Sequence, residues 1–106
     1  MSSVKVTVVG NLATDVQHQT DEKGRDAALF TIAGDKDEKD GTRAYLNVIV
    51  YRRQAVNVLN SLALGDRVIV TGSLSVAHGK ALLVATEVGL SLRYGEAQPI
   101  EDGVPV

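Results

Sequence analysis

Residues 43–53 read Arg-Ala-Tyr-Leu-Asn-Val-Ile-Val-Tyr-Arg-Arg. Side chains of an extended strand alternate between its two faces, so Leu46, Val48 and Val50 point one way and Tyr45, Asn47, Ile49 and Tyr51 the other. The first set is uniformly apolar and fits a barrel interior. The second mixes rings, an amide and an aliphatic side chain, and Arg43, Arg52 and Arg53 stand at the strand ends. Alternation alone admits three uses for the tyrosines: a stacking platform, a cover for a barrel end, or a subunit contact. The arginines are phosphate contacts or ordinary solvated charges.

Working outward, Val4 to Val9 is rich in β-branched residues and forms a first strand, with Gly10-Asn11 as its end or bend. Residues 15–26 are polar, and Ala27 to Gly34 turns apolar again as a second strand, with a hairpin loop or strand bend expected between the two. Gly34 to Thr42 is an exposed connection whose four acids outnumber its two lysines and repel phosphate on balance. The Tyr45–Tyr51 run is the third strand. From Arg53 the period becomes helical, in the sets Val56, Leu59, Ala63 or Ala55, Leu59, Leu62, with Gly65 as the stop. Residues 66–76 and 80–92 are two further β-rich runs joined by Ala77-His78-Gly79-Lys80, a hairpin. The order predicts an all-β fold, a five-stranded OB-fold Greek-key barrel with one short helix between strands 3 and 4. It occupies residues 1–95, and residues 96–106, with both prolines and three acids, form a short flexible tail.

Composition excludes much else. A chain of 106 residues has room for one domain, and 44% apolar with 23% charged residues is ordinary for a soluble protein. No apolar run is long enough to cross a bilayer, and Met-Ser-Ser-Val-Lys leads into strand-like sequence without a signal-peptide pattern, so the expected location is cytoplasmic. The chain has no cysteine, and its two histidines, His18 and His78, lack any metal-ligand spacing, so no metal or cofactor is expected. The G-x-S-x-G, P-loop and EF-hand patterns all fail, and no catalytic residue is assigned. A net charge of −2 runs against phosphate binding, which usually needs a basic excess.

Against that background, the chain resembles the bacterial single-stranded DNA-binding protein family over about residues 4–94. "VTVVGNLATD" is similar to the family's opening strand and signature, "FTIAG" to its second strand, and "YLNVIVYRRQAVNVLNSLALGDRVIVTGSLS" to its third strand, helix and hairpin. "TEVGLSLRYG" is similar to the closing strand, especially in actinobacterial members. The resemblance implies that Tyr45 and Tyr51 stack bases and that Lys5 and Arg53 meet phosphate; Arg43 and Arg52 at the strand ends, Asn47 between the tyrosines and Lys80 at the hairpin turn complete the expected binding surface. A stacked base contributes about 1–3 kcal/mol with little sequence preference. It also implies a nucleoid-associated role in DNA replication, repair or recombination, and a homotetramer open to mixing with a full-length relative.

Departures from the family pattern are concentrated where charge is expected. Val16 replaces a proline, Asn47 stands where a basic side chain or histidine is frequent, Leu64 takes a usually charged position, and Ser75, Ala77, His78 and Gly79 replace arginine, lysine and tryptophan. There is no tryptophan. Each missing phosphate contact lowers the salt slope by about 0.7, so the expectation is weaker binding with a smaller footprint. The acidic loop and missing cations motivate an alternative, an oligomeric OB-fold interaction module that has lost DNA affinity. The long linker is absent, and "IEDGVPV" only echoes the family's acidic tip.

Overall fold

The computed structural model describes residues 3–77 and 79–95, so His78 and the expected tail of residues 96–106 lie outside the described residues. Its elements are β1 (Ser3–Leu12), β2 (Gln17–Thr20), β3 (Asp26–Ala33), β4 (Tyr45–Tyr51), α1 (Arg52–Ser61), β5 (Arg67–Ala77) and β6 (Lys80–Leu90). The sheet runs β1-β5-β6-β4-β3-β2, and a further β1–β3 pairing closes it into a barrel. All ladders are antiparallel except a short parallel one, where Asn47, Val48 and Ile49 meet Leu82, Leu83 and Val84. This is the expected OB fold, with a sixth short strand.

Alternation places the core as the third-strand sequence implies. Val48 and Val50 of β4, Val68 and Val70 of β5 and Leu83 of β6 are fully buried, together with Ala28, Phe30 and Ile32 from the inner face of β3. Each such valine or leucine contributes roughly 1.5–3 kcal/mol by leaving water. The barrel end is plugged by α1, through Ala55 and Val58.

Three expectations need correction. Gly10 does not end the first strand: β1 continues to Leu12, paired first with β5 and then, at Asn11 and Leu12, with Ala33 and Ile32 of β3. A Cβ on Gly10 would lie 2.6 Å from the Ala33 carbonyl oxygen, so only glycine lets the two backbones approach this closely. The polar segment 15–26 contains β2, which pairs with the first half of β3. All four of its residues are exposed, so no apolar alternation betrays it. Both a bend and a hairpin separate β1 from β3. The helix also ends at Ser61, four residues before Gly65, because Leu62 is extended and turns toward the core. The Asp66 amide then donates to the Ala63 carbonyl while its Oδ2 accepts from the Ala63 amide, and the Gly65 amide donates to the Leu12 carbonyl as the Leu12 amide donates to the Asp66 carbonyl, which docks this turn on the end of β1. The Val56–Leu59–Ala63 set is therefore not the buried face.

The β5–β6 hairpin carries a second device. Thr71 faces Glu87 but Gly72 faces Ala85, so β6 bulges by one residue at Thr86. The extra residue shifts the alternation, and Leu83, Ala85 and Val88 all reach the core. Gln54 of α1 covers the bulge: its Nε2 donates to the Thr86 carbonyl at 3.0 Å and its Oε1 accepts from the Val88 amide at 2.9 Å. At Gly72 a Cβ would meet the Val84 carbonyl oxygen at 2.1 Å, with no flexible side chain to yield.

Gly72→Ala is therefore expected to cost roughly 3 kcal/mol or more, lowering the melting temperature by about 10 °C or more, and Gly10→Ala to act in the same direction. Gly89→Ala, where nothing stands within 4 Å, is the control and should be neutral or mildly stabilising. Gln54→Ala should cost about 1–3 kcal/mol by stranding two backbone groups. Differential scanning calorimetry of the four variants checks the order.

Candidate nucleic-acid interface

The outer face of β4 carries Tyr45, Asn47, Ile49 and Tyr51, as alternation requires. Tyr45 is 64% and Tyr51 41% exposed. Six residues of strand separate them by roughly 20 Å. They are thus two stations on one face, with Asn47 and Ile49 between. Asn47 is fixed by Thr31 of β3, whose hydroxyl donates to Oδ1 at 2.7 Å and so sets the orientation of the amide. Neighbouring strands extend the surface. The row Lys5, Ser73, Val84, Ile49, Leu29 runs through consecutive pairings, which puts exposed Lys5 level with the middle of the tyrosine pair but three strands away. That distance is roughly 14 Å. Lys80 is exposed at the hairpin tip, two residues before Leu82, the partner of Asn47. Arg43 is exposed in the loop entering β4.

The charge gathers at the Tyr51 end. Tyr51 is the N-cap of α1, in extended conformation, and no side chain caps the helix there. Arg52 follows at φ 63, the one non-glycine residue in the left-handed region among the described residues. This conformation costs an L-residue roughly 1–2 kcal/mol, and glycine would adopt it freely. The kink puts Arg52 beside a hollow of about 510 Å3 that Tyr51, Lys23, Arg25 and the acids Asp21 and Glu22 also line. Arg25, Arg52 and Arg53 then line an adjoining hollow with Asp26, Val56 and Asn57. Of the residues expected from sequence, Tyr51, Arg52 and Arg53 are brought together here, while Lys5, Arg43 and Lys80 stand apart from them. Arg25 escaped the sequence reading because the polar segment around it reads as a hairpin loop or strand bend with no part in a site. Its signal was the Asp21–Arg25 spacing about Gly24, a hairpin-turn pattern.

Acidic neighbours are largely engaged by their own loops. Asp21 accepts from the Lys23 and Arg25 amides at 2.9 Å and from Arg25 Nε at 2.6 Å. In the 35–42 loop, Asp37 accepts from the Lys39 and Asp40 amides, and Asp40 from the Thr42 amide and hydroxyl. These carboxylates order turns, which places their charge in fixed positions rather than on mobile side chains. Among the described residues no group of acids or histidines could hold a metal ion. No helix among them is long and apolar enough to cross a membrane.

Residues 3–81 match the model of the Single-strand binding protein family. The single-stranded DNA-binding protein of Paenarthrobacter aurescens is 36% identical over 110 aligned positions, covering 88% of this chain and 64% of that protein. That of Mycolicibacterium smegmatis is also 36% identical, over 88% of this chain and 67% of its own. This chain thus spans about two thirds of the length of these curated relatives. Among solved structures, the small single-stranded DNA-binding protein of Streptomyces coelicolor superposes with a TM-score of 0.78 at 31% identity, covering 90% of this chain and 99% of that one. The second single-stranded DNA-binding protein of Mycobacterium smegmatis gives 0.81 at 26% identity, over 94% and 100%.

The turn that holds Arg25 has a testable electrostatic signature. Hydrogen bonds from the Arg25 and Lys23 amides and from the Arg25 side chain hold the Asp21 carboxyl below its ordinary 3.8, the Arg25 amide contributing most. A depressed carboxyl pKa means that the turn's hold is complete above 3.8 and is lost as pH falls through the lower folded value. NMR titration should show the Lys23 and Arg25 amides shifting with a midpoint below 3.8. A midpoint at or above that value would mean that Asp21 does not hold the turn.

Proposed function

The chain belongs to the single-strand binding protein family, and from that premise we propose that it binds single-stranded DNA without catalysis, in replication, repair or recombination of DNA. The observation that carries this reading is the exposed Tyr45–Tyr51 face opening onto the Arg25, Arg52 and Arg53 cluster. Bases stack on the two rings, the Asn47 amide offers a hydrogen-bond donor between them, and the backbone crosses the arginines beyond Tyr51. Arg43 and Lys80 contact phosphate toward the Tyr45 end, and Lys5 does so where the strand reaches β1. The strained Arg52 fits this role, since backbone strain persists where a side chain is needed in one place. Against a net charge of −2, Arg52 and Arg53 make no ion pair among the described residues, and Asp21 in the same region is offset by Arg25.

We assign the folded binding domain to residues 1–95 and a short acidic tail to residues 96–106, and infer a homo-oligomer, a tetramer by family resemblance, acting on nucleoid DNA in the cytoplasm. Six cations, Lys5, Arg25, Arg43, Arg52, Arg53 and Lys80, at about 0.7 each on single strands, limit the salt slope to about −4.

Fluorescence anisotropy with labelled oligo-dT at several salt concentrations tests the reading. Tyr45→Ala and Tyr51→Ala should each weaken binding by about 1–3 kcal/mol. Arg52→Gly should weaken binding while leaving the melting temperature unchanged or raised, which separates a functional cation from a structural one. No binding at low salt, or binding indifferent to both tyrosine changes, would sink the proposal and favour the interaction-module alternative.

A further inference from the structure

The third tyrosine has no part in the surface described above, yet it is the most exposed large apolar side chain among the described residues, at 74%. Tyr94 lies where the chain leaves β6. The Ser91 amide bonds to the Arg67 carbonyl at 2.8 Å, one step past the Val68–Leu90 pair, and the chain then bends back over β5. Two guanidinium groups lie over the ring, Arg67 at 5.5 Å and Arg93 at 5.1 Å from its centre. With three quarters of its surface in water, this ring is not core.

Arg67 is held in an unusual way. Its side chain is only 12% exposed, and Nη1 donates to Asn11 Oδ1 at 3.2 Å and to Asp35 Oδ1 at 3.3 Å. Asn11 in turn donates to the Gly65 carbonyl, which fixes the amide. Arg67 Nε is buried with no hydrogen-bond partner among the described residues. A buried donor left unsatisfied costs about 1–3 kcal/mol, so the ordering of this guanidinium rests on the two Nη1 bonds. Asn11, Gly65, Arg67, Ser91 and Tyr94 are among the residues that line an open hollow of about 250 Å3.

Strand register relates the hollow to the proposed binding face. Tyr45 pairs with Ala33, Ala33 with Asn11, and Asn11 with Arg67, so a single cross-strand row leads from the first stacking tyrosine to the ring. Its three strand spacings amount to roughly 14 Å. An exposed ring flanked by guanidinium groups, at the end of a path that begins on another exposed ring, suits a ligand that alternates flat bases with phosphates.

We propose that Tyr94, with Arg67 and Arg93, is a third stacking station, which engages single-stranded DNA that runs past Tyr45 across the ends of β3, β1 and β5. This rests on the single-stranded DNA-binding reading and lengthens the path beyond the β4 face. The station loads only when the strand is long enough to reach it.

The chain has three tyrosines and no tryptophan, so tyrosine emission can be assigned by substitution. In a Tyr45→Phe, Tyr51→Phe variant both stacking rings are retained and Tyr94 is the only tyrosine left. Its emission should fall when an oligo-dT beyond the roughly 4–16 nucleotides covered by one OB fold is added, and change little with one near the lower bound. In the otherwise native protein, Tyr94→Ala should weaken binding of the long oligomer roughly ten-fold, within the range for one stacked base, and leave the short one unaffected. Because Tyr94 is exposed, this variant keeps its fold, and calorimetry verifies it. Anisotropy that reports binding while Tyr94 emission and the Tyr94→Ala affinity stay unchanged would overturn the third station and leave the β4 surface standing. Emission that follows protein concentration instead of DNA would assign the ring to a contact between copies, which also overturns it. Failure of the native protein to bind either oligomer removes the underlying reading and this one with it.

Discussion

Everything in this molecule depends on one strand serving two partners. β1 pairs with β5 along most of its length and then, at Asn11 and Leu12, with β3, and this change of partner closes the barrel. Closure brings the backbones of Gly10 and Ala33 within a distance that excludes any Cβ. It also covers the end of the β1 edge, at Asn11 and Leu12, with the end of β3. At the same junction Leu12 and Gly65 anchor the turn after α1, and Asn11 holds Arg67. A steric requirement at one glycine is thereby connected to the helix plug and to the basic group beneath Tyr94.

The binding face follows from that closure. Once the barrel is shut around Val48, Val50, Phe30 and Leu83, the opposite side chains of β4 have only solvent to face, and two tyrosines stand there at the energetic cost of exposed aromatic surface. The Arg52 kink adds a second local cost, set at the point where β4 gives way to α1. Both features make little sense as contributions to stability, and both are accounted for by a ligand that stacks and carries negative charge. The β6 bulge works in the opposite sense: Gln54 satisfies the irregular backbone and returns Val88 to the core, so this irregularity supports the fold.

Charge is where overall composition misleads most. A net −2 counts all charges alike, but Asp21 is offset by Arg25, while Arg52 and Arg53 stand at two adjoining hollows with no ion pair among the described residues. A polyanion responds to the local field near its path, screened over about 8–10 Å, more than to the total.

The strands β1, β3, β4, β5 and β6 were legible in the chain because each is an apolar, β-rich run set off by polar or glycine-containing segments, and the OB order follows from their sequence around a single helix. The two faces of β4, and hence Tyr45 and Tyr51 as outward residues, were equally legible, since pleating is a local property of an extended backbone. β2 was not, because both its faces are wet, and the end of α1 was misplaced because Leu62 leaves the helix to fill the core. Which distant residues meet was decided only by tertiary closure. Arg25 joins Tyr51 across a hairpin, Gln54 finds a bulge 32 residues away, and Arg67 lies under Tyr94. The physical reason is the range of the interactions involved: alternation and turn chemistry act between near neighbours in the chain, whereas close packing and shared hydrogen bonds exist only after the barrel has shut.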